Sequence, residues 1–226
     1  MTQHKIVETE DGSFTLFSTE IGEHYHSTKG ALQESQHVFI KEGLLHYISN
    51  NPHKKRINIL EMGFGTGLNA LLALKVGIDY KLEIFYTTIE KYPIPINLAQ
   101  KLNCGQLFDN KGYVDYYNQL HFAEWNAETK INNFYLNKIQ TDITDYLPQT
   151  PVDVVFFDAF SPKVQQELWS VEIFTKIYQA MTDNAVLTTY SAKGDVRRNL
   201  IASGFSVVKL QGPPGKRHIL RAVKQK

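Results

Sequence analysis

The strongest constraint on this 226-residue chain is one short segment, Ile59-Leu60-Glu61-Met62-Gly63-Phe64-Gly65-Thr66-Gly67-Leu68-Asn69. The apolar run 57–62 reads as a buried strand, and 67–76 as a helix opening directly out of a glycine loop. Three glycines at alternate positions let a ligand approach the backbone without interference from Cβ atoms. A dinucleotide-binding fingerprint places its third glycine one residue later, where this chain has Leu68. Glu61, two residues before the first glycine, would repel a pyrophosphate and suits a cationic ligand. The plainer alternative is a loop whose glycines only turn the chain.

Around that segment the pattern alternates. Strand signals lie at 57–62, 81–90, 134–141, 152–157, 185–190, 205–210 and 219–223, and helix signals at 67–76, 93–102, 164–181 and 194–203. Buried strands alternating with helices predict an α/β fold with a parallel, doubly wound sheet. The last two strands, joined by Gly212-Pro213-Pro214-Gly215, predict an antiparallel hairpin, and the polar-aromatic stretch 104–133 predicts an insertion. Before the first of these strands, 4–17 reads as a hairpin around Asp11-Gly12 and 31–48 as a helix ended by Asn50-Asn51-Pro52. The expected division is an N-terminal cap of hairpin and helix, residues 1–50, and a main domain, 51–226.

Composition excludes other classes. With 42% hydrophobic and 21% charged residues, the chain is neither disordered, collagenous nor a coiled coil. No apolar run approaches the ~18–20 residues of a membrane span, and Met1-Thr2-Gln3-His4-Lys5 lacks the apolar core of a signal peptide. The single cysteine, Cys104, rules out an internal disulfide framework and a Cys-based zinc site. The expectation is a cytoplasmic protein with neither membrane nor metal partner; His24-x-His26 has ligand spacing but no third ligand at a motif distance. Trp169 and Phe174 read as core. From residue 193 onward the chain carries nine Lys or Arg against one acid, Asp195. That basic end is either a footprint for a polyanion or a solvated face.

Two further acids follow the expected strands. Glu90, 23 residues beyond Gly67, can accept from a pair of ribose hydroxyls or stand as a solvent-facing strand end. Asp142 sits beyond the third strand, where Thr144-Asp145-Tyr146 also makes it a candidate helix N-cap. The glycine loop resembles the first motif of class I S-adenosylmethionine-dependent methyltransferases, E/D-x-G-x-G-x-G. That resemblance implies a Rossmann-like, doubly wound seven-stranded sheet and S-adenosyl-L-methionine as cofactor. It also implies that Glu61, Gly63, Phe64, Gly65, Gly67, Asn69, Glu90, Asp142 and Asp158 hold it, with Asp142 at the adenine amino group.

Asp158-Ala159-Phe160-Ser161-Pro162 follows the fourth strand, where N-methylating class I enzymes often carry an Asp/Asn-Pro-Pro-aromatic element. Asp158 can accept from an attacking amine and aim its lone pair, with Phe160 stacking on a planar acceptor; a turn aspartate and a core phenylalanine are the alternatives. This segment, with Glu167-Leu168-Trp169, Phe174, the run 188–200, Gly204-Phe205 and the lead-in Tyr25-His26-Ser27 through Ile40, resembles one family. It is the methyltransferase domain of the bifunctional tRNA 5-methylaminomethyl-2-thiouridine biosynthesis proteins (MnmC-like). The resemblance, over roughly 20–225, implies methyl transfer to the amine of 5-aminomethyl(-2-thio)uridine at the tRNA wobble position, with Asp158 at the acceptor. The tRNA anticodon loop is then the partner, and Lys193, Arg197, Arg198, Lys216 and Arg217 contact phosphates unless they are a solvated face. Tyr25 and His26 either line the pocket or pack the cap. The chain ends at Lys226, before that family's FAD-dependent oxidative domain, so it is expected not to remove a carboxymethyl group.

Two rivals stand beside this reading. An aminopropyltransferase of polyamine synthesis shares the fold, but Ala159 occupies a place where those sequences carry an additional acid. A non-catalytic binding protein on the same scaffold is the other.

Overall fold

A computed structural model describes residues 4–102 and 104–225. Met1-Thr2-Gln3 and Lys226, read above for a leader and for charge, lie outside the described residues. The chain opens with β1 (His4–Glu8) and β2 (Phe14–Ser18), an antiparallel hairpin to which the two-residue β3 (Glu23–His24) adds a third strand. A continuous helix follows, formed by α1 (Ala31–Ser35), a π-helical stretch (Gln36–Leu45) and α2 (His46–Asn50). Its buried side, including Ala31, Val38, Phe39, Leu44 and Tyr47, belongs to the same core as the main sheet.

The main sheet contains β4 (Arg56–Met62), β5 (Glu83–Ile89), β6 (Glu128–Ile131), β7 (Phe134–Ile139), β8 (Val152–Phe157), β9 (Met181–Thr189), β10 (Ser206–Gln211) and β11 (His218–Val223). Their order is β10-β11-β9-β8-β4-β5-β7-β6. The central strands β9, β8, β4, β5 and β7 are parallel; β11 and β6 run against them, and the edge strand β10 pairs antiparallel with β11. The expected sheet of seven strands gains an eighth, β6. It comes from the stretch read as an insertion, where a four-residue strand gives too short a period to recognise. The same stretch holds α5 (Gly112–Phe122).

All six residues of β8 are buried, as expected for a central parallel strand covered on both faces. Phe156 points to one core layer, with α3 (Leu68–Tyr80), α5 and the N-terminal helix. Phe157 points to the other, with α6 (Val171–Ala180) and α7 (Gly194–Ala202). Each such phenylalanine, removed from water, contributes roughly 1.5–3 kcal/mol. A short helix, α4 (Ile96–Leu102), follows β5.

The helix expected over 164–181 is broken. Gln166–Trp169 forms a 3-10 turn, and the Ser170 hydroxyl accepts from the Ile173 N–H to start α6 afresh. Trp169 turns inward, 2% exposed, and its ring N–H donates to the Phe160 carbonyl at 2.8 Å. Trp169 and Phe174 both lie in the core.

Candidate active site

Strand register puts two of the candidate acids, Glu90 and Asp158, in one row with the first glycine. Met62 pairs with Ile89 on one side and Phe157 on the other, and Ile89 pairs with Ile139. Gly63, Glu90 and Asp158 therefore each stand one residue past the same ladder row. The Gly63 N–H donates to the Ile89 carbonyl, and the Asp158 N–H to the Met62 carbonyl. This is the crevice beyond the strand C-termini, where the chain leaves β4 toward β5 on one side and β8 lies on the other. A cavity of about 780 Å³ opens there.

Gly63, Gly65 and Gly67 take φ of 94°, 51° and 74°, all left-handed. A Cβ on Gly63 would meet the Asp158 carbonyl at 3.0 Å, one on Gly65 the Tyr25 ring at 3.1 Å, and one on Gly67 the His121 Nε2 at 2.8 Å. The glycines are thus required by the protein's own backbone and packing as well as by any ligand.

Around the loop the carboxyl groups are held unevenly. Glu90 accepts from the Gly65 N–H at 3.1 Å and the Tyr92 N–H at 2.9 Å, and burial raises its pKa. Asp142 caps a short turn by accepting from the Thr144 N–H and pairs with Lys91 at 2.7 Å, which lowers its pKa. Its cap geometry and its place on the cavity wall hold together. Glu61 is fully buried and does not line the cavity; the Thr88 hydroxyl donates to it at 2.7 Å. Burial pushes its pKa up to about 8. Asp158 accepts from the Asn69 amide at 2.8 Å, and burial with the neighbouring Glu34 and Glu61 carboxyls holds its pKa well above the usual range.

The N-terminal segment closes the other wall. The Ser161 hydroxyl and N–H donate to Glu23, and Tyr25 meets Phe160 edge-on with ring centroids 5.0 Å apart. His26 is buried, its Nδ1 3.2 Å from the Thr15 hydroxyl, and burial pushes its pKa down to about 4. Glu34, 4% exposed, accepts from the Ser27 N–H and pairs with the Lys216 ammonium. Tyr190 donates to the Ala159 carbonyl at 2.9 Å.

Of the residues picked from sequence, Gly63, Phe64, Gly65, Asn69, Glu90, Asp142, Asp158, Tyr25, His26, Phe160 and Lys216 line this cavity. Glu61 and Gly67 support it from behind. Lys193, Arg197, Arg198 and Arg217 are exposed outside it, with Arg198 paired to Asp195. Glu34 and Tyr190 were not among the site residues picked. The one available signal is an acid, Glu34, on the buried face of α1 beside Ala31 and Ser35. His24 lies against Phe17, and among the described residues no cluster of His, Cys, Asp and Glu is arranged to hold a metal ion. No helix among them is long and apolar enough to cross a membrane.

The site also carries unmet hydrogen-bonding capacity. The Thr66 hydroxyl and the Asn69 side-chain oxygen, both of cavity-lining residues, are buried without partners, as is one Glu61 oxygen. Buried polar atoms are rarely left so, and at a cavity wall water, an ion or a ligand can complete them. The Asn69 acceptor beneath the loop, and the Glu90 carboxylate, whose oxygens keep acceptor sites beyond those taken by the Gly65 and Tyr92 N–H groups, fit a ligand with an ammonium group at one end and hydroxyls at the other.

A family model described as an S-adenosyl-L-methionine-dependent methyltransferase matches residues 110–225, and the chain belongs to that family. Its cofactor is S-adenosyl-L-methionine. Among individual proteins, the chain is 32% identical over 222 residues to the tRNA 5-methylaminomethyl-2-thiouridine biosynthesis bifunctional protein MnmC of Nitrosospira multiformis. That match covers 91% of this chain and 35% of the relative, so the chain spans about a third of that relative's length. In solved structures, MNMC2 from Aquifex aeolicus superposes with a TM-score of 0.79 at 26% identity, covering 98% of this chain and 70% of that one. Spermidine synthase from Thermotoga maritima, at 13% identity and a TM-score of 0.59 over 100% of this chain and 70% of that one, shares the fold.

Proposed function

We propose that this protein transfers a methyl group to the primary amine of 5-aminomethyl(-2-thio)uridine at the wobble position of tRNA. Asp158 carries the reading. It is an acid fixed by Asn69 at the end of β8, beside the glycine loop and facing a cavity lined by Phe160 and Tyr25. The name borne by the Nitrosospira relative supports the same nucleoside.

The chemistry follows from the residues. Glu90 would take ribose hydroxyls, Asp142 the adenine side, and Thr66 and Asn69 the polar tail of the cofactor, which when bound supplies an electrophilic methyl group. An incoming aliphatic ammonium has no lone pair and must lose a proton first. Asp158, made more basic than an ordinary aspartate by its burial, binds the cation and accepts that proton from its nitrogen. The freed amine then stays hydrogen-bonded to the carboxyl, its lone pair held toward the methyl. Positioning supplies most of the acceleration. Phe160 and Tyr25 exclude water and flank the base. Outside the cavity, Lys193, Arg197, Arg198 and Arg217 would meet phosphates flanking the anticodon.

The decisive experiment incubates the protein with S-adenosylmethionine and tRNA carrying 5-aminomethyl(-2-thio)uridine, then analyses the nucleosides by mass spectrometry. A gain of one methyl on that nucleoside is expected. Modification of putrescine by a decarboxylated donor, with none of the tRNA, would instead select an aminopropyltransferase.

A further inference from the structure

Lys216 is set apart from the other basic residues of the C-terminal end. The turn Gly212-Pro213-Pro214-Gly215 is tight: the Lys216 N–H donates to the Pro213 carbonyl at 2.9 Å, and Gly215 takes φ of 83° against the Lys29 side chain. This geometry sends Lys216 inward. Its ammonium lies 3.9 Å from the centre of the Tyr190 ring and pairs with buried Glu34, and all three residues line the cavity that holds Asp158. Glu34 in turn is anchored through its other oxygen by the Ser27 N–H at 2.6 Å. An ion pair whose acid is buried and whose cation is partly buried brings little net stability when its desolvation is counted, so a latch alone accounts poorly for one inside a reaction cavity.

The valences leave room for a ligand. An ammonium has three donors and a carboxylate about four acceptor sites; Ser27 takes one site on Glu34 Oε2, while Oε1, which faces the Lys216 ammonium, is buried with no hydrogen-bond partner. The pair therefore offers the cavity a donor beside an acceptor, next to Asp158. We propose that Lys216 and Glu34 read the edge of the acceptor base, Lys216 donating to O4 and Glu34 accepting from N3–H of a uracil ring. In a 5-aminomethyl uracil the amine and O4 sit on adjacent ring carbons, and N3–H follows O4 along the same edge. An amine seated at Asp158 thus brings O4 and then N3–H to the pair. A cytosine reverses both polarities, presenting an amino donor and a bare N3, and would leave the ammonium and the carboxylate unmatched. This inference rests on the aminomethyluridine reading and assigns specificity within it.

The test uses anticodon stem-loop RNAs carrying either 5-aminomethyluridine or 5-aminomethylcytidine, each assayed for equilibrium binding and for methyl transfer. Wild type should favour the uridine RNA by about 10²-fold or more in kcat/KM, since a site built to hydrogen-bond one edge rejects the other strongly. Glu34→Gln and Lys216→Met should each cut that ratio at least tenfold, with S-adenosylmethionine affinity near wild type. The double variant strands no buried charge and should abolish the preference, which covers the case in which Lys216→Met alone does not fold. An unchanged ratio with lower overall activity would make the pair a structural latch and overturn the proposal. If wild type methylates neither RNA, the reaction reading fails. The binding preference still decides the inference: equal affinity for the two RNAs overturns it, and tighter uridine binding lost in the variants sustains it.

Discussion

The two walls of the cavity are built differently. On the cofactor side, Gly63, Phe64, Gly65, Thr66 and Asn69 come from the single run 63–69, and their places are fixed by strand register and by left-handed glycines. On the side proposed for the acceptor, His26, Glu34, Asp158, Tyr190 and Lys216 come from several separate stretches of chain, joined by side-chain contacts such as Lys216 with Glu34 and Tyr190 with the Ala159 carbonyl. A wall made of backbone cannot be altered without disturbing the fold. A wall made of side chains can lose its chemistry while the fold persists.

Asp158→Ala gives the sharpest separation. If Asp158 takes the proton and holds the amine as proposed, its loss should lower the rate of methyl transfer about 10³-fold. Calorimetric affinity for S-adenosylmethionine should change by no more than about threefold, because the variant leaves the glycine loop intact. Equal losses in rate and affinity would erase the distinction between the walls.

Gly67→Val probes the opposite wall. Its φ of 74° strains any β-branched residue, and the new Cβ would press on the His121 ring at 2.8 Å. The expected destabilisation is about 2–5 kcal/mol, read in thermal or denaturant unfolding, with cofactor affinity falling alongside. A variant of normal stability that binds no cofactor would mean the loop is shaped by its ligand alone.

This difference also explains what could be read from the sequence. The glycine loop, Glu90 and the fully buried β8 are local patterns, with their meaning carried by spacing, and the structure places them side by side. Strand β6 and the break at Ser170 were missed because a four-residue strand and a single capping hydroxyl give no period to detect. Glu61 was taken for a residue facing the ligand; it lies behind the loop, since side chains alternate along β4 and its own points into the layer of Thr88. Lys216 was grouped with exposed cations by its neighbours in sequence. Only the turn at Gly212–Gly215, packed against Lys29, shows that it points inward.

Glu61→Gln sharpens the account of the buried support. In the folded chain Glu61 keeps its proton up to about pH 8, whereas once unfolded it titrates near 4.5. The folded state therefore binds the extra proton between those values, and stability drains away as pH rises through that window. Glu61→Gln removes this dependence, so its stability relative to wild type should grow from pH 5 to pH 8 by about 1–3 kcal/mol. Taking the difference between the two proteins cancels the contributions of His26 and His121. Burial pushes both down to about 4, so their stabilising effect is lost in the opposite direction, as pH falls below about 6.5. A constant difference across pH would show that Glu61 is ionised in the folded state.

The smallest effect belongs to the rim outside both walls. Arg197 is exposed on α7, just beyond the end of β9; among the described residues it neither lines the cavity nor forms an ion pair with an acid. If it meets a phosphate, Arg197→Ala should weaken tRNA binding only about two- to fivefold at moderate salt and reduce the slope of log affinity against log salt by about one. The loss should be the same for RNAs bearing aminomethyluridine and aminomethylcytidine, since a phosphate contact carries no base information. Glu34→Gln should do the reverse, changing the ratio between those RNAs and leaving the salt slope alone. Both variants measured on both RNAs across a salt series would separate the rim proposed to hold the backbone from the wall proposed to read the base. If Arg197→Ala shifts the base preference, the boundary between them has been drawn in the wrong place.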